Sequence, residues 1–558
     1  MDRAGNHETA AARARSTAEP VTVGVGPVSF GDVVAVARGD ARVRIGEDAV
    51  AAIERSRKAV EQLAEALTPA YGISTGFGAL ATTHIPPDMR GQLQRSLIRS
   101  HSASSGPEVE REVVRAMMLL RLSTLATGHT GIRLATARLL ADLLNQGITP
   151  VVHEYGSLGC SGDLAPLAHC GLALMGEGEV HGADGVRRPA GDALRSAGLT
   201  PVVLEAKEGL ALINGTDGML GMLVLAITDL RMLLKALDVT AAMSVEAQLA
   251  TDRVFAADLQ ALRPHPGQAA SAVNLTRLLA DSGVVASHRG PDCNRVQDAY
   301  SLRCVPQVHG AARDTVEHAA VVATRELAAA IDNPVVLTAS EDGPHGGVGS
   351  DARDDAEGDA GDGAGGGGRR VESNGNFHGA PLGYVLDFLA IAAADVASMS
   401  ERRTDRFLDP ARSNGLPAFL ADDPGVDSGH MIAQYTQAAV VSEMKRLANP
   451  ASVDSIPSSA MQEDHVSMGW SAARKLRRSL DGLAQVVGVE YLTAARALDL
   501  RAPLTPAPAT AAAVALLRRD VSGPGPDRHL APEIEHATAL VRDGELAAAV
   551  ESVIGVLE

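Results

Sequence analysis

The chain is poor in cysteine, in aromatic residues and in positive charge, and each shortage excludes something. Its 558 residues include four cysteines, at 160, 170, 293 and 304. They are too few and too scattered to staple a fold of this length, which excludes a disulfide scaffold and fits a reducing cytoplasm. Aromatic residues make up 3% while hydrophobic residues reach 46%, so the core must come mainly from Ala, Leu and Val, a composition suited to closely packed helices. A formal charge of -18 argues against a surface for nucleic acid or an anionic membrane. The most hydrophobic stretch, 219–237, is interrupted by Asp229, Arg231 and Lys235, which predicts a buried or amphipathic helix and no membrane span. Residues 1–20 carry charges of both signs and no apolar segment; they read as a disordered tail and not as a secretory signal.

What the chain does contain is a succession of helical patterns broken by glycine-rich loops. Residues 21–67 read as a short strand-like start followed by helices, and Tyr71-Gly-Ile-Ser-Thr-Gly-Phe-Gly78 then breaks the pattern. Residues 110–145 have helical spacing, and 147–165 form a second glycine-rich interruption. Further on, Val385, Phe388, Leu389, Ala392 and Val396 recur at the spacing of a helix packed in a bundle. Residues 339–370, acidic and with four successive glycines at 365–368, cannot bury enough apolar surface to offset their ordering entropy and read as a disordered surface insertion. No internal repeat is evident. The division expected is a tail over 1–20, an N-terminal domain over 21–217 that carries the second glycine-rich loop, and a central and C-terminal helical bundle over 218–558.

Six segments carry chemistry-bearing residues. They are the Tyr71 loop; Gly156-Ser-Leu-Gly-Cys160-Ser161-Gly162-Asp163-Leu-Ala-Pro166; Ile213-Asn214-Gly-Thr-Asp217; Gln297-Asp-Ala-Tyr300-Ser-Leu-Arg303; Gly375-Asn376-Phe377-His378-Gly379; and the C-terminal run from Ser442-Glu443 to Gln462-Glu463-Asp464-His465. Each alone has a plain structural reading. A Gly-Cys-Ser-Gly is usually a turn, Tyr71 a packed phenol, Arg303 a surface ion pair, and Phe377 part of a core. His101 and Glu443 alone are helix residues with local partners. Zinc is not supported, because Cys160 and Cys170 lack the close spacing of a structural site and no His-Glu-x-x-His occurs. Neither is a nucleophile elbow, since Gly162 directly follows Ser161. Together and in this order, over roughly 21–551, the segments resemble the histidine and aromatic amino acid ammonia-lyase family.

That resemblance implies a mainly α fold, a long-helix bundle of the ammonia-lyase/fumarase-like type with a small mixed N-terminal region. It implies that Cys160, Ser161 and Gly162 cyclise autocatalytically into 4-methylideneimidazol-5-one (MIO), with no metal or dissociable cofactor. The residue types suit the chemistry: the Gly162 nitrogen attacks the carbonyl two residues back, which a residue without Cβ allows, and Ser161 loses water to become the methylene. Cys160 stands where most of the family has Ala; it contributes only its carbonyl to the ring. Tyr71 is implied as the base, and because a phenol near pKa 10 is a poor base at neutral pH it needs cationic or donor neighbours.

Arg303 is implied as a two-pronged clamp for a carboxylate. Asn214 and Tyr300 would help seat the substrate, with Gln297 nearby and Phe377 as an apolar wall. His101 and Glu443 point to an imidazole, which makes the implied reaction the deamination of L-histidine to trans-urocanate. A tyrosine ammonia-lyase or an MIO-dependent aminomutase would share nearly all of these residues, and a non-catalytic helical assembly protein is a third reading. Met461 stands where Asn is expected in many relatives. The family also implies a homotetramer whose active sites draw loops from three subunits, with no nucleic-acid or membrane partner.

Overall fold

The structure is a computed structural model that describes residues 19–65, 75, 76, 83–290, 293, 296–338 and 370–558. Tyr71, nearly all of the expected tail and residues 339–369 of the acidic insertion lie outside the described residues. The chain divides into two compact units. The first comprises Met1–Gly221, Arg325–Gly379 and Ser455–Ser467, and the second Met222–Thr324, Ala380–Asp454 and Met468–Glu558. After the second unit has begun, two later segments, Arg325–Gly379 and Ser455–Ser467, return to the first. They return for local reasons of pairing. Val335–Leu337 and Arg370–Glu372 form an antiparallel pair on either side of the insertion, and Ser467 and Glu463 hydrogen-bond to residues 159–161.

In the first unit, short strands pair in small sheets: Val21–Val23 parallel to Val43–Ile45, Ser105–Glu108 antiparallel to His153–Tyr155, and a three-stranded set from Thr149–Pro150, Glu179–His181 and Arg187–Pro189. Helix Phe30–Gly39 starts at a capping box between Ser29 and Asp32. The single helical region expected over 110–145 is two helices, Arg111–Ala126 and Leu134–Asn145, because Thr127-Gly-His-Thr-Gly131 is poor in helix formers. Every residue from Val113 to Ala126 is buried, Arg115 and Arg121 included.

In the second unit long helices pack on one another; Ala380–Leu408 lies against Gly469–Asp499, which also meets Met431–Leu447 and Ala531–Arg542. The apolar run 219–237 lies within helix Asp217–Ala247, whose most apolar stretch is wholly buried by protein. On Ala380–Leu408 the buried face includes Val385, Leu389 and Val396 as expected, together with Leu382, Leu386, Ala393 and Ala397. Phe388 instead stays 48% exposed beside Tyr384 and Ile391. Apolar residues occupy two faces of this helix, and periodicity alone cannot tell which face meets the core.

Buried carboxylates tie these helices together. Glu490 accepts from Thr240, Ser244 and Ser400 and takes both prongs of Arg403, at 2.5 and 2.8 Å, with neither ion exposed. Asp238 accepts from Ser271, Asn274, His309 and Arg313. Burial alone would raise its carboxyl, but Arg313 and His309 bring it down to about 2. Such pairs are stable only because every partner is in place; removing one would leave a buried charge uncompensated.

His430, buried with its Nδ1 3.1 Å from the Thr493 hydroxyl, gives the second unit a pH dependence. Burial pushes its imidazole down to about 3, and Arg496, Arg528 and Arg518 add to the effect. An unfolded histidine protonates near pH ~6.5, so below that pH the unfolded chain binds a proton that the folded chain refuses. This contribution to stability is whole above the unfolded value and is lost as pH falls toward the folded one, at about 1.4 kcal/mol per pH unit. In urea unfolding at pH 7 and pH 5, the His430→Gln variant should therefore lose ~2 kcal/mol less than wild type between the two pH values. Equal losses would show that His430 does not carry the effect.

Candidate active site

The Cys160-Ser161-Gly162 segment is gripped from both sides within the first unit. Upstream, Gly159 N–H donates to the Ser157 hydroxyl at 3.1 Å, and the Gly159 carbonyl accepts from Ser467 Oγ at 2.6 Å and from Gly379 N–H at 2.9 Å. Downstream, Asp163 N–H donates to the Gly215 carbonyl at 2.7 Å. Gly162 has φ +81°, and a Cβ there would sit 2.3 Å from the Gly215 oxygen. Any side chain would collide with backbone that cannot yield, so glycine is required by two independent constraints.

Asp163 precedes helix Leu164–Leu174, yet its carboxylate serves a different helix. It accepts from Gly218 and Met219 N–H, both at 2.9 Å, in the first turn of Asp217–Ala247, and from Ser157 Oγ at 2.9 Å. The positive end of that helix is thereby anchored beside the triad. Burial pushes the Asp163 carboxyl up to about 7 against the pull of these donors.

Ser161 opens onto a cavity of about 470 Å³ whose walls include His101, Leu164, Asn214, Asn333 and Glu463. Ser161 Oγ donates to Glu463 Oε1 at 2.9 Å, while Glu463 Oε2 accepts from Ser458 Oγ at 2.7 Å and lies 3.5 Å from Cys160 Sγ. Burial and the Glu463 carboxylate push the Cys160 thiol up to about 11, so it stays protonated and is a poor nucleophile at neutral pH. Glu463 is held by a tight turn in which Ser458 and Glu463 exchange backbone hydrogen bonds. Ser459, Ala460 and Met461 within it all have positive φ, at 50°, 52° and 70°. Strain of this kind, of order 1–3 kcal/mol per residue, persists only where surrounding contacts enforce it. Met461 itself points to solvent, 67% exposed.

His101 ends helix Arg90–His101 and its Nδ1 lies 2.9 Å from the Leu97 carbonyl. A carbonyl only accepts, so Nδ1 carries the proton and Nε2 keeps its lone pair. Burial lowers the His101 pKa, opposed by the Leu97 hydrogen bond and the Glu463 charge, which favours that neutral tautomer.

His101, Ser161 and Asn214 thus share one cavity. Phe377 belongs to the same unit, half-buried next to His378, whose ring stacks on His465 at 5.7 Å. Gln297, Tyr300, Arg303 and Glu443 belong to the second unit. Tyr300 is 71% exposed, with the Arg303 guanidinium 4.7 Å over its ring; Arg303 Nε is buried and has no hydrogen-bond partner among the described residues. Glu443 is exposed and paired with Arg446, one turn along its own helix. The carboxylate beside Ser161 is Glu463, within a segment already notable in the sequence, yet nothing local distinguishes it from Glu443. No sequence signal marks Asn333 either. Among the described residues no group of three or more His, Cys, Asp or Glu side chains could hold a metal ion.

The same chain has close relatives of known kind. Residues 28–519 match the family described as aromatic amino acid lyase. Histidine ammonia-lyase of Streptomyces coelicolor is 61% identical over 538 residues, covering 96% of this chain and 99% of its own. That of Sorangium cellulosum is 46% identical over 534 residues, covering 95% and 99%. Among solved structures, a tyrosine aminomutase from Streptomyces globisporus superposes with a TM-score of 0.86 at 35% identity, covering 97% of this chain and 100% of that one. Histidine ammonia-lyase from Trypanosoma cruzi does so with a TM-score of 0.82 at 36% identity, covering 96% and 95%. With a family match over most of its length and relatives that span it almost end to end, the chain belongs to the aromatic amino acid lyase family.

Proposed function

We propose that the protein is a histidine ammonia-lyase that releases ammonia from L-histidine to leave trans-urocanate. The observation that carries this reading is the meeting of His101, Glu463 and Ser161 at one cavity, in a chain 61% identical to lyases named for histidine. An MIO group formed from Cys160, Ser161 and Gly162 would supply an electrophilic methylene that makes the amine a better leaving group. The clamped, side-chain-free backbone at Gly162 fits that ring.

The imidazole of the substrate has two nitrogens, and the cavity offers two acceptors. His101 Nε2 takes an N–H from one, and Glu463 takes an N–H from the other and favours a partly cationic ring. Loss of the Ser161 hydroxyl on maturation removes a donor from Glu463 Oε1, leaving that oxygen to accept from the substrate. Asn214 seats the polar end of the substrate with Tyr300 and Gln297, Arg303 takes the carboxylate in its fork, and Phe377 walls the ring. Tyr71 is the proposed base. General base catalysis contributes ~10²–10⁴-fold, so the remaining acceleration rests on the electrophile and on positioning.

The reading includes a homotetramer in the cytoplasm. Tyr384, Phe388 and Ile391, exposed along one helix face, are apolar surface of the kind an oligomer covers, and all four cysteines are free. Because the tyrosine aminomutase fold is equally similar, substrate must be assayed directly. Purified protein given L-histidine should produce the ultraviolet absorbance of urocanate, with little change on L-tyrosine or L-phenylalanine. Turnover of tyrosine in preference to histidine would replace this reading with the tyrosine lyase or aminomutase one.

A further inference from the structure

Behind Asn214 lies a group of buried charges that the proposed chemistry does not use. Arg121, almost wholly buried in helix Arg111–Ala126, donates from one terminal nitrogen to the Asn214 carbonyl at 2.6 Å and from the other to the Ile331 carbonyl at 2.8 Å. Its guanidinium lies 3.4 Å from the Asp217 carboxylate, to which Thr124 Oγ1 also points at 3.5 Å. Both charges press on bare backbone: a Cβ on Gly215 would meet Asp217 Oδ2 at 2.3 Å and the Arg121 nitrogen at 2.5 Å. On the cavity side, Asn214 Nδ2 donates to the Asn333 carbonyl at 2.9 Å. The segments 214–217 and 331–333 are therefore joined twice, by a guanidinium on the buried side and by the Asn214 amide on the cavity side. A second buried pair, Lys207 with Asp332, fixes the neighbouring residue, and Asp332 Oδ1 accepts from Asn333 N–H at 2.8 Å.

Burying two cations and two carboxylates is costly, and apolar side chains of similar volume would commonly serve stability as well. The geometry is more specific than stability requires. A planar fork holds its two terminal N–H groups in a fixed geometry toward carbonyls on separate segments, whereas a lysine ammonium is a point charge on a flexible stem. We infer that Arg121 is a positioning residue for the lyase reaction, holding the Asn214 amide and the Asn333 wall in register with Ser161, and that Asp217 keeps the fork in its plane.

The inference rests on the lyase reading for its kinetic arm, and a second arm is independent of it. Arg121→Lys keeps the charge but loses the rigid planar fork. Its kcat/KM on L-histidine, normalised to the fraction of protein carrying the ring, should fall about tenfold, less than the ~10²-fold of a full 1 Å misplacement. The loss should appear in kcat more than in KM. Combined with Asn214→Ala, it should add less than about twofold to the loss of Asn214→Ala alone, because both changes act through one group. Multiplying losses would overturn the inference, since a merely structural defect acts independently of Asn214. If Arg121→Lys does not fold, Asp217→Asn, equal in size, is put through the same cycle. Hydrogen exchange supplies the arm without turnover: peptides covering 208–219 and 161–166 should exchange faster in the variant, while those of the second unit keep wild-type rates. Unchanged exchange at 208–219 would overturn the inference even in a protein inactive on histidine.

Discussion

Ser161→Ala should yield a folded protein whose turnover of L-histidine falls on the order of 10³-fold or more, as removal of a covalent catalytic group typically does. The reason is atomic bookkeeping at three residues. Ring closure would join the Gly162 nitrogen to the Cys160 carbonyl carbon and release one water; loss of the Ser161 α-proton and hydroxyl would release a second and leave the methylene. Alanine has no hydroxyl to lose. The peptide spanning 154–169 should therefore be lighter by two waters in wild type and not in the variant. Folding should survive, because Ser161 spends its hydroxyl on Glu463, whereas the hydrogen bonds that grip the segment are made by Gly159 and Asp163. A variant that retains turnover would remove the electrophile from the mechanism. A wild-type peptide of unmodified mass, in a protein silent on histidine, would favour the non-catalytic assembly reading.

The second large effect separates two glutamates. Glu463→Gln keeps the size and one acceptor but removes the charge that faces His101 across the cavity lining. Hydrogen bonds to a charged group contribute ~1.5–3 kcal/mol, so kcat/KM for histidine should fall about 10²-fold, each ~1.4 kcal/mol being tenfold. Glu443→Gln should change it by less than roughly twofold, because an exposed ion pair one helical turn apart contributes little. The two variants need the same peptide mass as wild type before their rates are compared. If Glu443→Gln carries the large loss and Glu463→Gln does not, the substrate imidazole is bound through the exposed glutamate, and Glu463 is not its acceptor.

Much of the site is legible in the order of residues because its requirements are local. A glycine must follow the serine for the backbone to fold back, and Gly162 does have the positive φ and the crowding against Gly215 that only glycine tolerates. Helices Asp217–Ala247 and Ala380–Leu408 follow from apolar spacing that neighbouring residues carry among themselves. The choice of glutamate is not legible. Glu443 and Glu463 both lie in suggestive segments, and a strained turn at 459–461 with hydrogen bonds from Ser161 and Ser458 brings one of them to the cavity. Phe388, which its spacing places inside the bundle, stays half-exposed for a related reason, since a helix with two apolar faces does not say which one finds a partner.

The sequence by itself determined the helical class and the place of the Cys160-Ser161-Gly162 segment among its glycine-rich loops, since propensity and φ act over a few neighbouring residues. Tertiary structure alone decided that residues 325–379 and 455–467 rejoin the first unit, that Arg121 bridges Asn214 to Ile331, 93 and 210 residues further along the chain, and that Glu490 and Asp238 are buried with full sets of partners. Burial and electrostatic pairing depend on which segments meet in space, and those meetings are set by the packing of the whole core.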